Sequence, residues 1–130
     1  MFRLAIPAVL LLAAGAAAPA AQPAQDKDAA RLAKALDGLT PGATQDCINR
    51  DQSYDLESYE GTILYVQGRN KVFRNDVVGG CPGLAHDDLV VIKSLTGSKI
   101  CKGDIVTTRA RTGGNFTGSC SLGPFTAYTR

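Results

Sequence analysis

The chemistry-bearing residues of this chain are few, and the most conspicuous group is His86-Asp87-Asp88, its single histidine followed by two carboxylates. An imidazole titrates near neutral pH, and a neighbouring carboxylate can orient it, so the group has the residue types of an acid/base pair in a small hydrolase. Consecutive residues of an extended segment point in different directions, however. There is also no second histidine to complete a transition-metal set. Asp76, Asp87, Asp88 and Asp104 would need calcium-loop spacing to supply the six to eight oxygens Ca²⁺ requires, and that spacing is missing. A Gly-x-Ser-x-Gly elbow is absent, and Lys102-Gly103-Asp104 lacks the glycine pattern of a phosphate loop. The residues therefore assign no catalytic group, no cofactor and no metal ligand, and His86-Asp87-Asp88 reads as a solvated loop. The expectation is a protein that is not an enzyme.

Cysteine is the other chemistry on offer. Cys47, Cys81, Cys101 and Cys120 are widely spaced and form no Cys-x-x-Cys, which argues against zinc or a redox pair. An even number in an exported chain reads as two disulfides. Three pairings are possible. Cys47–Cys101 with Cys81–Cys120 is preferred, because joining Cys81 to Cys101 would need the intervening loop to fold back. Cys47–Cys120 with Cys81–Cys101 stays open.

Export is read from the start of the sequence. Met1-Phe2-Arg3 is a charged beginning, Leu4 to Ala14 is an apolar run, and Ala18-Pro19-Ala20 offers small residues for cleavage before Ala21. The run is interrupted by Pro7, Gly15 and Pro19 and is too short to span a bilayer. Residues 1–20 are thus expected to be a signal peptide, leaving no membrane anchor after cleavage. Residues 21–27 read as a flexible Ala/Pro/Gln linker, and residues 28–130 as one domain. Against 12 Asp and Glu the chain has 14 Lys and Arg, and losing Arg3 with the leader lowers the net charge from +2 to +1. So small an excess gives no support for a nucleic-acid partner or a charged membrane surface. Arg69, Lys71, Arg74, Arg109 and Arg111, interleaved with Tyr65 and Phe73, have the types of a single-strand-binding face. They read instead as ordinary decoration of solvated strands.

These residues need elements to hold them. Asp28 to Leu39 has apolar residues near helical spacing at Ala29, Leu32, Ala33, Leu36 and Leu39, with Asp26 or Asp28 to cap the start and Gly38 to end it. Cys47-Ile48 reads as a short strand, and Asp51 to Glu60 as a polar loop. Thr62 to Gln67 and Lys71 to Val78 are β-rich runs joined by Gly68-Arg69-Asn70, a hairpin signal. Leu89 to Ile92 is a β-branched run expected to be buried on both faces. Across a turn at Thr96-Gly97-Ser98 it would face Cys101. Ile105 to Ala110 alternates, with Val106, Thr108 and Ala110 on one face and Ile105, Thr107, Arg109 and Arg111 on the other. Thr117 to Leu122 and Phe125 to Tyr128, broken by Gly123-Pro124, complete about six short strands. The expected fold is mainly β (α+β): a small barrel or sandwich with one N-terminal amphipathic helix and two disulfides.

Four segments carry a resemblance. They are Leu36-Asp37-Gly38-Leu39-Thr40-Pro41-Gly42 running into Asp46-Cys47-Ile48-Asn49, Gly68-Arg69-Asn70 with Phe73-Arg74-Asn75-Asp76, Ile100-Cys101-Lys102-Gly103-Asp104-Ile105, and Leu122-Gly123-Pro124-Phe125 with Tyr128. Together, over most of residues 31–130, they resemble a family of small uncharacterised exported proteins of Gram-negative bacteria, a domain of unknown function. The resemblance implies a compact periplasmic domain and carries over no functional residue.

The functional expectation is a non-catalytic domain that binds a protein or a cell-envelope component. Its contact surface is expected in the loop Gly79, Gly80, Pro82, Gly83, His86 and Asp87, since recognition commonly sits on loops of a rigid scaffold. The alternatives are an inhibitor of an envelope hydrolase, and a small hydrolase using His86 with Asp87 or Asp88.

Overall fold

A run as apolar as Thr62–Gln67 has to be covered on both sides. The computed structural model, which describes residues 23–52 and 54–130, places it near the centre of a five-stranded antiparallel sheet. In chain order the strands of that sheet are β1 (Thr40–Gln45), β3 (Asp55–Tyr59), β4 (Thr62–Gln67), β5 (Lys71–Asp76) and β10 (Phe125–Thr129), arranged β1-β10-β5-β4-β3. Alternation then sorts the side chains. Ile63, Tyr65, Phe73 and Phe125 project into one buried cluster, while Leu64, Val72 and Tyr59 project into another on the opposite face. The second cluster is closed by α1 (Pro23–Ala35), through Leu32, Ala35 and the following Leu36 and Leu39.

The first cluster is closed by a three-stranded antiparallel sheet ordered β6-β8-β9, made of β6 (Leu89–Lys93), β8 (Ile105–Arg109) and β9 (Phe116–Ser121). It contributes Val106 and Cys120, with Val90 and Ile92 packed alongside. The molecule is thus layered as helix, five-stranded sheet and three-stranded sheet, and its sheets do not close into a barrel. A two-stranded ribbon, β2 (Cys47–Asn49) with β7 (Lys99–Cys101), sets Cys47 directly opposite Cys101.

The bridges are Cys47–Cys101 and Cys81–Cys120. They span 54 and 39 residues, so each restricts the unfolded chain by about 4 kcal/mol in the loop-entropy account. Two polar side chains brace the same regions. Asp104, 1% exposed, accepts from the amides of Cys101 (2.8 Å) and Leu95 (3.2 Å). Asn75 donates to the carbonyl of Gly123 (2.7 Å) and accepts from its amide (2.9 Å), tying β5 to the turn before β10.

Several expectations need correcting. The helix begins at Pro23, inside the expected linker, because proline fits a first helical turn. It ends at Ala35 rather than Leu39. Asp28 lies within the helix instead of capping it; its carboxylate accepts from the Glu60 amide (2.8 Å) and from Arg31 (2.9 Å), clamping α1 to the β3–β4 turn. Ala29 and Ala33 are exposed. Among the described residues ten strands replace about six. Asp55–Tyr59, expected to be loop, is an edge strand whose Asp55 and Glu57 are exposed. Cys101 faces β2 rather than the Leu89 run. That run is covered on one face only, with Leu89 44% and Val91 50% exposed, because none of the described residues packs on the outside of the three-stranded sheet. The signal-peptide expectation for residues 1–20 lies outside the described residues.

Candidate functional site

The loop expected to make contacts is folded against the body of the protein. Pro82–His86 forms a 3₁₀ turn in which Gly83 and Leu84 are buried. A Cβ on Gly83 would lie 2.6 Å from Asp88 Oδ2, Thr108 Oγ1 and Thr117 Oγ1, and one on Gly118 of β9 would lie 2.9 Å from the Pro82 ring. At both positions glycine lets the backbone sit directly against neighbouring side chains, in space a Cβ would need. The Cys81–Cys120 bridge holds the same junction. Gly79, Gly80 and Pro82 line a groove of about 300 Å³ with Glu60, Gly61 and Cys81, most of it backbone.

The titratable groups singled out in the sequence go to separate partners. His86 is exposed, and among the described residues no hydrogen bond joins it to Asp87 or Asp88. Asp87 adopts a left-handed backbone (φ 56°), its carbonyl accepts from Arg111 Nε (2.6 Å), and its carboxylate lies 3.5 Å from the same guanidinium. Asp76 accepts from Arg74 (3.0 Å) and Thr62 (2.8 Å) beneath the helix. Asp104 is committed to its two backbone amides. Among the described residues no group of three or more His, Cys, Asp and Glu could hold a metal ion. Of the basic-aromatic set Lys71 lies over the Phe73 ring (4.9 Å to its centroid), but the residues do not assemble into one face. Tyr65 and Phe73 are core residues, Arg69 and Lys71 lie at the β4–β5 turn, and Arg109 stands on the other sheet.

A cleft of about 270 Å³ between α1 and the five-stranded sheet is lined by Asp28, Ala29, Leu32, Tyr59, Glu60, Thr62 and Arg74. Its charges are satisfied internally, Asp28 by Arg31 and Arg74 by Asp76. Tyr59 donates to Glu57 (2.9 Å), and burial, followed by that carboxylate, pushes its hydroxyl up to about 12.

The remaining cleft, about 250 Å³, lies where the two sheets fail to join. Leu56 of the edge strand β3 forms one bank, and Val90 and Ile92 of the edge strand β6 form the other. Tyr54, Tyr65 and Ile100 also line it, with Arg50 and Gln52 as its polar members. Tyr54 packs edge-on against Tyr65 at 5.9 Å and Phe73 at 6.1 Å, which fixes the aromatic wall. The Tyr65 hydroxyl is buried without a hydrogen-bond partner among the described residues, and burial ahead of the nearby Asp104 charge raises its pKa. Arg50 donates to the Gly97 carbonyl (3.0 Å), which holds its cation beside the β6–β7 loop.

β6 is open on a further side. Leu89, Val91, Ile105 and Phe116 share the outer face of the three-stranded sheet, are 39–61% exposed, and are accompanied by Lys93 and Arg109. None of Tyr54, Leu56, Arg50 and Gln52 was singled out in the sequence. Leu56 has a local signal in the alternation within Asp55–Tyr59, which polar residues obscure; Arg50, Gln52 and Tyr54 precede that strand and have none. No helix among the described residues is long and apolar enough to cross a membrane. No protein-family model, curated protein or solved structure matches the chain.

Proposed function

We propose that this chain is an exported, non-catalytic recognition domain that binds a protein or cell-envelope component through the three-stranded sheet and the seam beside it. The observation that carries the reading is the uncovered apolar face of Leu89, Val91, Ile105 and Phe116 on a doubly bridged scaffold. Contiguous exposed apolar residues commonly mark contact surfaces. Two disulfides fit an oxidising compartment, and the charged start and apolar run of residues 1–20 fit export. Asp87 is engaged by Arg111, and among the described residues no hydrogen bond joins His86 to Asp87 or Asp88, which supports a binding role over hydrolysis.

Mature protein immobilised by its C-terminus and exposed to a periplasmic extract should retain a discrete component, and a Leu89→Ser/Val91→Ser variant should lose it. Equal retention by the two proteins, or none by either, removes the reading. Turnover of ester, phosphate or glycoside substrates that disappears in His86→Ala would replace it with the hydrolase.

A further inference from the structure

We infer that β6 accepts an extended strand from a protein partner, with apolar side chains of that strand entering the Leu56/Tyr65/Val90/Ile92 cleft and acidic ones alternating with them. This rests on the recognition reading above and names its mode and partner chemistry.

Four observations converge on it. First, among the described residues β6 pairs only with β8 and is the free edge of its sheet, so its outward amides and carbonyls form a ready ladder. Second, an added strand would continue the pleat of β6, so every second side chain would fall in line with Val90 and Ile92, towards the cleft. At about 250 Å³ that cleft is below the range of drug-sized sites, roughly 300–1,000 Å³, and suits a side chain. Third, the intervening side chains would fall in line with Leu89, Val91 and Lys93 on the outer face. Strands β6, β8 and β9 contain Lys93 and Arg109 and no carboxylate, Arg50 adds a cation at the cleft, and of the two acids just before β6 Asp87 is paired with Arg111 and Asp88 lies against Gly83. A strand bearing Glu or Asp at those positions complements this field. Fourth, a second copy of the chain does not. Antiparallel self-addition of β6 would gather Lys93 and Arg109 from both copies on one face, while the acid nearest that face, Asp87, is already paired with Arg111 of its own chain.

The test uses the oxidised protein labelled with ¹⁵N and a pool of blocked seven-residue peptides alternating Glu with Leu, Phe or Val. The expected result is shifts and slowed amide exchange at Leu89–Lys93, with shifts at Leu56 and Ile100. Peptides with Lys in place of Glu should bind roughly fivefold more weakly, in line with exposed charge pairs. Val91→Pro should abolish the effect by removing an N–H and distorting the edge. If that variant does not fold, Lys93→Glu serves instead, and should reverse the preference between Glu and Lys peptides. The inference is overturned by no change at β6 with millimolar peptide, by equal binding of both peptide sets, or by dimerisation through β6. It is equally overturned if phosphatidylglycerol vesicles, and not peptides, occupy the face. An extract component retained equally by wild type and Lys93→Glu, but lost from Leu89→Ser/Val91→Ser, would sink strand addition and leave the recognition reading standing.

Discussion

The two sheets solve the same problem differently. Each buries one face in the shared core, and each has apolar residues on the other face. On the five-stranded sheet Leu64, Val72 and Tyr59 are 0–5% exposed, because α1 lies across them and Asp28 pins it there. On the three-stranded sheet Leu89, Val91, Ile105 and Phe116 stand in solvent. The same alternation therefore yields core on one side and surface on the other. What decides is whether another element arrives to cover it, and that separates the part of the molecule that stabilises from the part available to a partner.

Substitutions on the two faces should break or confirm this contrast. The largest effect is expected from Leu64→Ala, which empties a fully buried site beneath the helix. It should cost about 3 kcal/mol, read as a fall in the urea midpoint; a loss below 1 kcal/mol would mean that the helix does not cover the sheet. Asp28→Ala leaves the Glu60 amide without its carboxylate and should cost about 1–2 kcal/mol. Tyr65→Phe removes a buried hydroxyl that has no partner among the described residues, so it should be neutral or raise stability by about 1 kcal/mol. Destabilisation of that size would reveal a bond the hydroxyl makes. On the uncovered face, Val91→Thr should stay within about 0.5 kcal/mol of wild type.

The contrast extends to alkaline pH. Tyr59 and Tyr65 have raised pKa values in the folded protein and belong to the helix-covered sheet. A neutral phenol held above its unfolded pKa near 10 contributes stability fully below pH 10, and loses it as pH rises through the folded value. Unfolding free energy should therefore decline from about pH 10 towards 12, and Tyr59→Phe should flatten that decline. An unchanged slope would show that Tyr59 ionises alike in both states.

Local pattern was enough for β4, β5 and their connecting Gly68-Arg69-Asn70, because alternation and turn chemistry coincide there. It was enough for the inward Val106 and Thr108 as well. β1 was hidden by Pro41-Gly42, which reads as a helix stop yet is tolerated on an edge strand with a bulge. β3 was hidden by Asp55 and Glu57, which an edge strand can afford to display. The Leu89–Lys93 run shows the limit most clearly: a β-branched segment has the same composition whether one face or two are covered. The candidate cleft exists because β3 and β6 do not pair, and a pairing that fails to form leaves no mark on either segment. In the loop at residues 79–88 the glycines have different surroundings, Gly79 and Gly80 exposed and Gly83 closely packed, and the sequence alone does not separate them.

The contact between Gly83 and the three oxygens around it has a bearing on how the protein can diverge. Gly80, His86 and Asp87 face solvent and leave room for change, whereas even alanine at position 83 would wedge the turn away from Thr108 and Thr117 and strain the neighbouring cystine. A saturation library scored for secretion yield should find this small residue among the least replaceable in the chain. Relatives would then keep it while the histidine three positions later drifts.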